Sequence, residues 1–461
     1  MSDIHFVRTQ DAPIEPPPVS SSGPIGWMRK NLFSSVSNTI LTLIGLYLAY
    51  ALIPPMVSFG IIDAVYSGQD REDCLAEDGG HVGACWPYVA AKLDQFIYGR
   101  YPLEERWRVD LVFVGFIIGL IPLLIPSVPY KRENAAYLFG LFPIAAVVLL
   151  TGGAFAYGPV VLGIFASEGW FGFLHETAAG EALLGLTGFV IEFILFFGIV
   201  AAIAAMLAIG AEKDPKPAVI TVGFVAVGIA LIFLALGIDF GLEVVTTDLW
   251  GGVLVTLIVA VVGIVASFPI GVLLALGRRS EMPIVKFMSI LFIEFWRGVP
   301  LITVLFVSSV VLPLFLPEGV TFDKLLRALI GVALFASAYM AEVVRGGLQA
   351  IPKGQYEGAM AMGLRYPEMM RLIILPQALK LVIPGIVNTF IGLFKDTTLV
   401  LIIGLFDLLG MIQLSFTDPK WSTPVTSHTG YLFAAVFYFV CCFAMSRYSM
   451  FMEERLDTSR R

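Results

Sequence analysis

Residues 354–380, GQYEGAMAMGLRYPEMMRLIILPQALK, stand apart from the rest of the sequence. They form a polar, Met-rich, helix-favouring stretch in a chain otherwise built of bilayer-length apolar runs. Two short helices are expected. The first starts near Gln355 and stops at Gly363, where glycine suits a C-terminal cap. The second starts at Pro367, whose fixed φ and missing N–H suit a first helical position, and ends around Pro376. Two short helices joined by a tight turn make a rigid knob, a shape able to transmit force to a partner.

Around this stretch, the 461 residues are 58% hydrophobic and 14% charged, which excludes an ordinary soluble domain. The net charge of −7 gives no indication of nucleic-acid binding. A spanning helix needs about 20 mainly apolar residues. Ten runs qualify, at about 36–60, 110–129, 135–157, 183–210, 217–238, 251–277, 287–315, 326–345, 380–406 and 429–447, with eight as the competing count. The expected fold class is therefore an all-α integral membrane protein of about ten transmembrane helices. Lys and Arg concentrate in alternate connecting segments, among them 131–132, 213–216, 278–286 and 345–380. Their cytoplasmic preference places residues 354–380 and both termini in the cytoplasm.

The expected organisation is a disordered cytoplasmic tail over 1–35, a transmembrane extension over 36–245, a second transmembrane part over 246–450 and a cytoplasmic tail over 451–461. No cleavable signal peptide is visible: Pro16, Pro17 and Pro18 lie in a polar leader, with Arg29 and Lys30 just before the first apolar run. Four cysteines fall in two places. Cys74 and Cys85 sit in a polar segment outside the membrane and can form a disulfide if that segment is periplasmic; Cys441 and Cys442 read as helix packing. The segment 81–108, HVGACWPYVAAKLDQFIYGRYPLEERWR, is either a docking surface or, on the favoured reading, an ordered cap over the helix ends. Glu192, alone in an apolar span, is a functional candidate because a charge in the membrane is costly.

Glu294 and Arg297 are three apart on one helix, so they can share a face and screen each other. They mark either a polar path or a rigid brace. Gly298, Val299 and Pro300 then predict a break, whose freed carbonyls must face protein or water. Glu342 and Arg345 repeat the spacing, with anchoring as the favoured role. Adjacent Lys395 and Asp396 point to different sides of their helix. With Asn388, Thr397 and Thr398 they form the best polar cluster for a solute, although hydrogen bonding across helices would use the same residues. No GxxxxGK[ST] phosphate loop occurs. The four histidines, His5, His81, His175 and His428, are scattered, with no HExxH or GxSxG pattern to suggest a metal site or a catalytic residue.

The 354–380 stretch resembles the signature of ABC importer permeases: EAA, three residues, Gly, nine residues, Ile, one residue, Leu-Pro. Glu357, Gly358, Ala359, Gly363, Ile373, Leu375 and Pro376 occupy these positions at the right spacings, the one departure being Gly358 for Ala. This change costs a helix up to about 1 kcal/mol. Four further stretches, TLIVAVVGIVASFPIGVLLALGRRS, EFWRGVPL, AYMAEVVRGGLQAIPKGQYEGA and NTFIGLFKDTTLVLIIG, resemble the permeases of polar amino-acid ABC importers. The long N-terminal part resembles the larger permease of general L-amino-acid importers, with an added pair of apolar spans around 183–238.

The resemblance implies a five-helix type I importer permease core at the C-terminal end, with 354–380 as the coupling loop. It implies a bacterial inner-membrane subunit that carries polar L-amino acids inward by alternating access and is not itself an enzyme. The implied partners are an ATPase dimer that binds the ATP, a second permease, a periplasmic solute-binding protein and the amino acid, with no cofactor held by this chain. For that zwitterion, Arg297 or Lys395 would face the carboxylate and Asp396 or Glu294 the ammonium. The rival expectation is a secondary transporter driven by an ion gradient, which would have no need of the Glu357 to Pro376 spacing.

Overall fold

A computed structural model describes residues 23–75, 81–153, 223, 240–315 and 323–456. Among the described residues the chain is helical, with isolated bridges instead of strands. Among the described residues seven helices are long and apolar enough to cross a membrane, and a pair bent by 100° makes an eighth if the two count as one span. These match eight of the ten expected runs. The runs at 183–210 and 217–238, Glu192 and the segment 158–182 lie outside the described residues.

Packing divides the chain into two compact units, Met1–Tyr88 with Lys420–Thr429, and Val89–Pro419 with Gly430–Arg461. In the first, α1 (Gly23–Asn31) precedes α2 (Val36–Val57), which Ser35 caps by accepting the Asn38 N–H at 3.2 Å. No residue of α2 is buried. An evenly apolar helix of this kind suits a lipid surround. Pro54 and Pro55 withhold two N–H groups, and the helix loosens into a π turn at Ser58–Ile62. A disulfide joins Cys74 to Cys85. Beside it, Ala84 N–H bonds Phe59 O at 2.7 Å, the Trp86 indole bonds Gly60 O, and Cys85 N–H reaches Thr429 Oγ1, both at 3.0 Å.

The second unit takes in most of α3 (Trp86–Tyr98), then α4 (Arg106–Leu124) and α5 (Lys131–Thr151). The Tyr98 hydroxyl donates to Asp110 at 2.7 Å, and this bond, with burial, pushes the phenol up to about 12. The expected span 135–157 is corrected at its end: the helix stops at Thr151 because its last carbonyls are taken elsewhere. Tyr101 Oη donates to Leu150 O at 2.9 Å and Val245 N–H to Thr151 O at 3.0 Å. One apolar cluster accordingly runs from Tyr101, Val109 and Leu150 through Val245 and Trp250 to Val255 and Leu393.

From residue 252 onward come α6 (Gly252–Arg278), α7 (Pro283–Gly298), α8 (Leu301–Phe315) and α9 (Lys324–Ala350). The break expected at Gly298-Val299-Pro300 is there, and α7 and α8 meet at 100°. Asp323 caps α9 through Leu326 N–H at 2.9 Å. Small residues, among them Ala328, Gly331, Ala336 and Ala341, line the buried side of α9. Glycines on α6 bring it close to α9: a Cβ on Gly271 would lie 2.7 Å from Met340 Cβ, and one on Gly263 3.0 Å from Val332 Cγ1. The chain continues as α10 (Lys353–Ala361), α11 (366–381), α12 (Ile383–Ile403), α13 (Leu408–Ser415) and α14 (Thr426–Leu456).

Gly252 begins α6 with φ +66°, and a Cβ there would sit 2.1 Å from the Phe96 carbonyl oxygen. Gly252→Ala is therefore expected to lose at least about 2 kcal/mol through left-handed strain and overlap. A thermal melt of the purified variant beside wild type checks this.

Candidate functional site

The 354–380 segment forms the expected knob. α10 ends in a Schellman arrangement: Leu364 N–H bonds Ala359 O at 3.2 Å, Gly363 N–H bonds Met360 O at 2.9 Å, and Gly363 takes φ +75°. α11 opens with Pro367 in its first turn, and Glu368 accepts the Arg365 N–H at 3.1 Å. It does not end at Pro376. A π turn at Met370–Ile374 absorbs the proline, whose ring and missing N–H would break a regular helix, and the helix runs on to Leu381.

One side of the knob is seated and the other is free. Ala359, Met369, Met370, Ile374 and Ala378 are buried with Ala275 of α6, Ile293 of α7 and Met340, Val344 and Leu348 of α9. Ile373 and Leu375 pack at the edge of this cluster. Tyr356 fastens α10 through its hydroxyl, 2.9 Å from Arg279 Nη1 and 3.2 Å from Leu348 O, with the guanidinium over its ring. Gln377 Nε2 donates to Gln355 Oε1 at 3.1 Å and ties the two loop helices together. Glu357, Gly358, Gly363 and Pro376 face outward.

Next to this seat, Glu342 gathers three arginines. Arg345 lies 2.7 Å from it, Arg278 2.9 Å and Arg297 3.7 Å. Arg278 also bonds Glu294 at 2.9 Å. The expected screening of Glu294 by Arg297 is thus replaced: they share a face of α7, but each finds its partner on another helix. The cause is the closeness of α6 and α9, which brings Arg278 and Glu342 within reach. Sequence reasoning gave Arg278 only a topological role, because at the end of an apolar run a basic residue ordinarily reports cytoplasmic position.

Among the described residues the ion pairs of Glu294 and Arg297 are made with Arg278 and Glu342, not with α12. Thr397 Oγ1 and Thr398 Oγ1 donate to their own helix, to Phe394 O at 2.8 Å and Lys395 O at 2.9 Å. Asn388 and Lys395 are exposed and Asp396 is half-buried, and among the described residues no ion pair holds Lys395 or Asp396. Beyond the end of α12 lies an acid that the sequence reading passed over. Asp407 is fully buried and caps α13, accepting Gly410 N–H at 2.9 Å and the Tyr438 hydroxyl at 3.0 Å. Its signal was a lone acid directly before the apolar run LLGMI, a helix-start pattern.

Among known proteins, the profile of the family described as binding-protein-dependent transport system inner membrane component matches residues 267–458. An inner membrane amino-acid ABC transporter permease protein of Escherichia coli (strain K12) is 42% identical over 448 residues, 97% of this chain and 97% of that one. A glutamate/glutamine/aspartate/asparagine transport system permease protein of Rhodobacter capsulatus is 41% identical over 475 residues, 100% of each chain. The crystal structure of an amino acid ABC transporter with histidines is 28% identical, covering 44% of this chain and 90% of its own, at a TM-score of 0.39.

Two variants test this geometry by thermal melts of the purified protein. Glu342→Gln leaves three guanidinium groups without their shared carboxylate and is expected to cost about 3 kcal/mol. At Gly358 a Cβ would meet nothing within 4 Å. Gly358→Ala is therefore expected to stabilise α10 by about 0.5–1 kcal/mol.

Proposed function

The chain belongs to the amino-acid ABC transporter permeases, inner-membrane components of binding-protein-dependent transport systems, and from this premise we propose that it moves polar L-amino acids from periplasm to cytoplasm by alternating access. It is a multi-pass inner-membrane subunit of an ATP-driven importer, and ATP hydrolysis belongs to a separate subunit of such systems. An ATPase and a substrate-binding protein are the partners of a permease in this family. In our reading the ATPase is a dimer that carries the ATP, no cofactor is held by this chain, and a second, related permease completes the pathway. Both termini lie in the cytoplasm, as the distribution of Lys and Arg supports.

The observation that carries the reading is the knob. Glu357 stands exposed at the ATPase side of a seat fixed by Ala359, Tyr356, Arg279 and Gln377. A displacement of α10 is delivered to α6 and α9, because the Tyr356 hydroxyl binds both Arg279 and the Leu348 carbonyl. α9 carries Glu342, whose arginines hold α6 and α7, so movement at the loop reaches the bend between α7 and α8. Glu294 and Arg297 act in this brace. Lys395 and Asp396, free of ion pairs among the described residues, suit the carboxylate and the ammonium of the solute. The Rhodobacter capsulatus relative is named for glutamate, glutamine, aspartate and asparagine, which supports a small polar solute.

A pull-down from native membranes, wild type beside Glu357→Lys, tests the coupling role. A P-loop ATPase and a second permease are expected with the wild type, and the ATPase alone is expected to weaken in the variant. An ATPase that binds both equally removes Glu357 from the contact. For the solute, Lys395→Ala and Asp396→Ala should each raise the KM of uptake; unchanged values in both would exclude the pair.

A further inference from the structure

At the end of the core opposite the knob, Asp407 holds several elements at once. Its carboxylate accepts the N–H groups of Leu409 at 3.3 Å and Gly410 at 2.9 Å from α13, and the Tyr438 hydroxyl at 3.0 Å from α14. The residues on either side of it tie down α6. Phe406 O accepts the Gly252 N–H at 2.9 Å, and Leu408 N–H donates to Thr256 Oγ1 at 3.0 Å. The Tyr438 ring meets Phe394 edge-on with centroids 5.5 Å apart, next to Lys395 and Asp396 on α12. One side chain thus lies where α6, α12, α13 and α14 converge.

Hydrogen bonding does not account for a charge here. Asn or Ser caps a helix as well as Asp does, and a fully buried carboxylate with no cation is costly. Among the described residues none of the ion pairs includes Asp407. α13 has no ionisable side chain, and that of α6 is Arg278 at its far end. Of the ionisable groups on the neighbouring elements, Tyr438 from α14 reaches it, Lys395 and Asp396 lie earlier on α12, and the Arg100 guanidinium stacks 4.9 Å from the Phe406 ring centre. Burial raises the Asp407 carboxyl above the usual range, against the hydrogen bonds from Gly410, Tyr438 and Leu409.

We propose that Asp407 is a positioning residue of the transport cycle, a latch whose buried charge keeps the ends of α6, α13 and α14 ready to part. Resting on the importer reading, this places the latch at the periplasmic end, where the pathway opens to the binding protein. With the carboxyl raised, the closed arrangement binds a proton more readily than the parted one. The latch therefore tightens as pH falls and loosens as pH rises. Asp407→Asn keeps the cap and an acceptor for Tyr438 but removes the charge, and so mimics the tight form at every pH.

The test has two arms, both on the permease within its assembled complex. Hydrogen exchange at Gly252, Leu409 and Gly410, corrected for intrinsic rates, is followed from pH 5.5 to 8. Wild type should lose protection as pH rises, the direction that a raised carboxyl dictates, while Asp407→Asn should stay protected throughout. Tyr438→Phe should be less protected than wild type at every pH. In proteoliposomes with ATP and the loaded binding protein, Asp407→Asn should slow L-glutamine uptake about fivefold or more at pH 7.5 through kcat, with KM unchanged and no pH dependence. Equal exchange profiles in wild type and Asp407→Asn overturn the latch, as does wild-type kcat in the variant. A lack of ATP-driven uptake by the wild type tells against the importer reading, independently of the exchange result.

Discussion

The close crossing of α6 and α9 underlies the other features of the core. Lipid offers no hydrophobic gain for bringing two apolar helices together, so contact depends on van der Waals fit and on polar bonds between helices. Gly263 and Gly271 on α6, set against Val332, Met340 and Ala341 on α9, remove the side chains that would hold the backbones apart. Arg278 and Arg279 at the end of α6 then fall beside α9. One reaches Glu342 and the other reaches Tyr356 and the Leu348 carbonyl. A wider crossing would leave both guanidinium groups in lipid or in water and the knob without its seat.

The charges follow a consistent logic. In the apolar core a carboxylate or guanidinium is tolerated when it is paired, and Glu342 serves three arginines from three helices, α6, α7 and α9. Such an arrangement resists separation of any one helix while allowing the group to move together. The 100° bend between α7 and α8 begins one residue after Arg297, so the brace holds the helix at the point where its regular hydrogen bonding stops. The far end of the core is built differently. Neutral donors surround a single acid, Asp407, and backbone bonds at Gly252 and Leu408 replace ion pairs. One end is gathered around a carboxylate with three guanidinium partners, and around Asp407 the other end is held by neutral donors.

The all-α class, eight of the ten expected apolar runs, the break at Gly298 to Pro300, and the knob with its glycine-capped first helix were all legible in the sequence. They depend on local rules: run length, the fixed φ of proline and the left-handed preference of glycine. Three features were decided only by tertiary structure. α11 passes through Pro376 because a π turn adds a residue where the ring needs room. Glu294 and Arg297 find partners on α6 and α9, although their i, i+3 spacing allowed a mutual pair. Asp407, a single acid in a loop by sequence, becomes the meeting point of four helices. A sequence states which residues share a helix face, but the partner of a buried charge depends on how near the next backbone lies. Here that distance was set by glycines on α6, which carry no chemistry of their own.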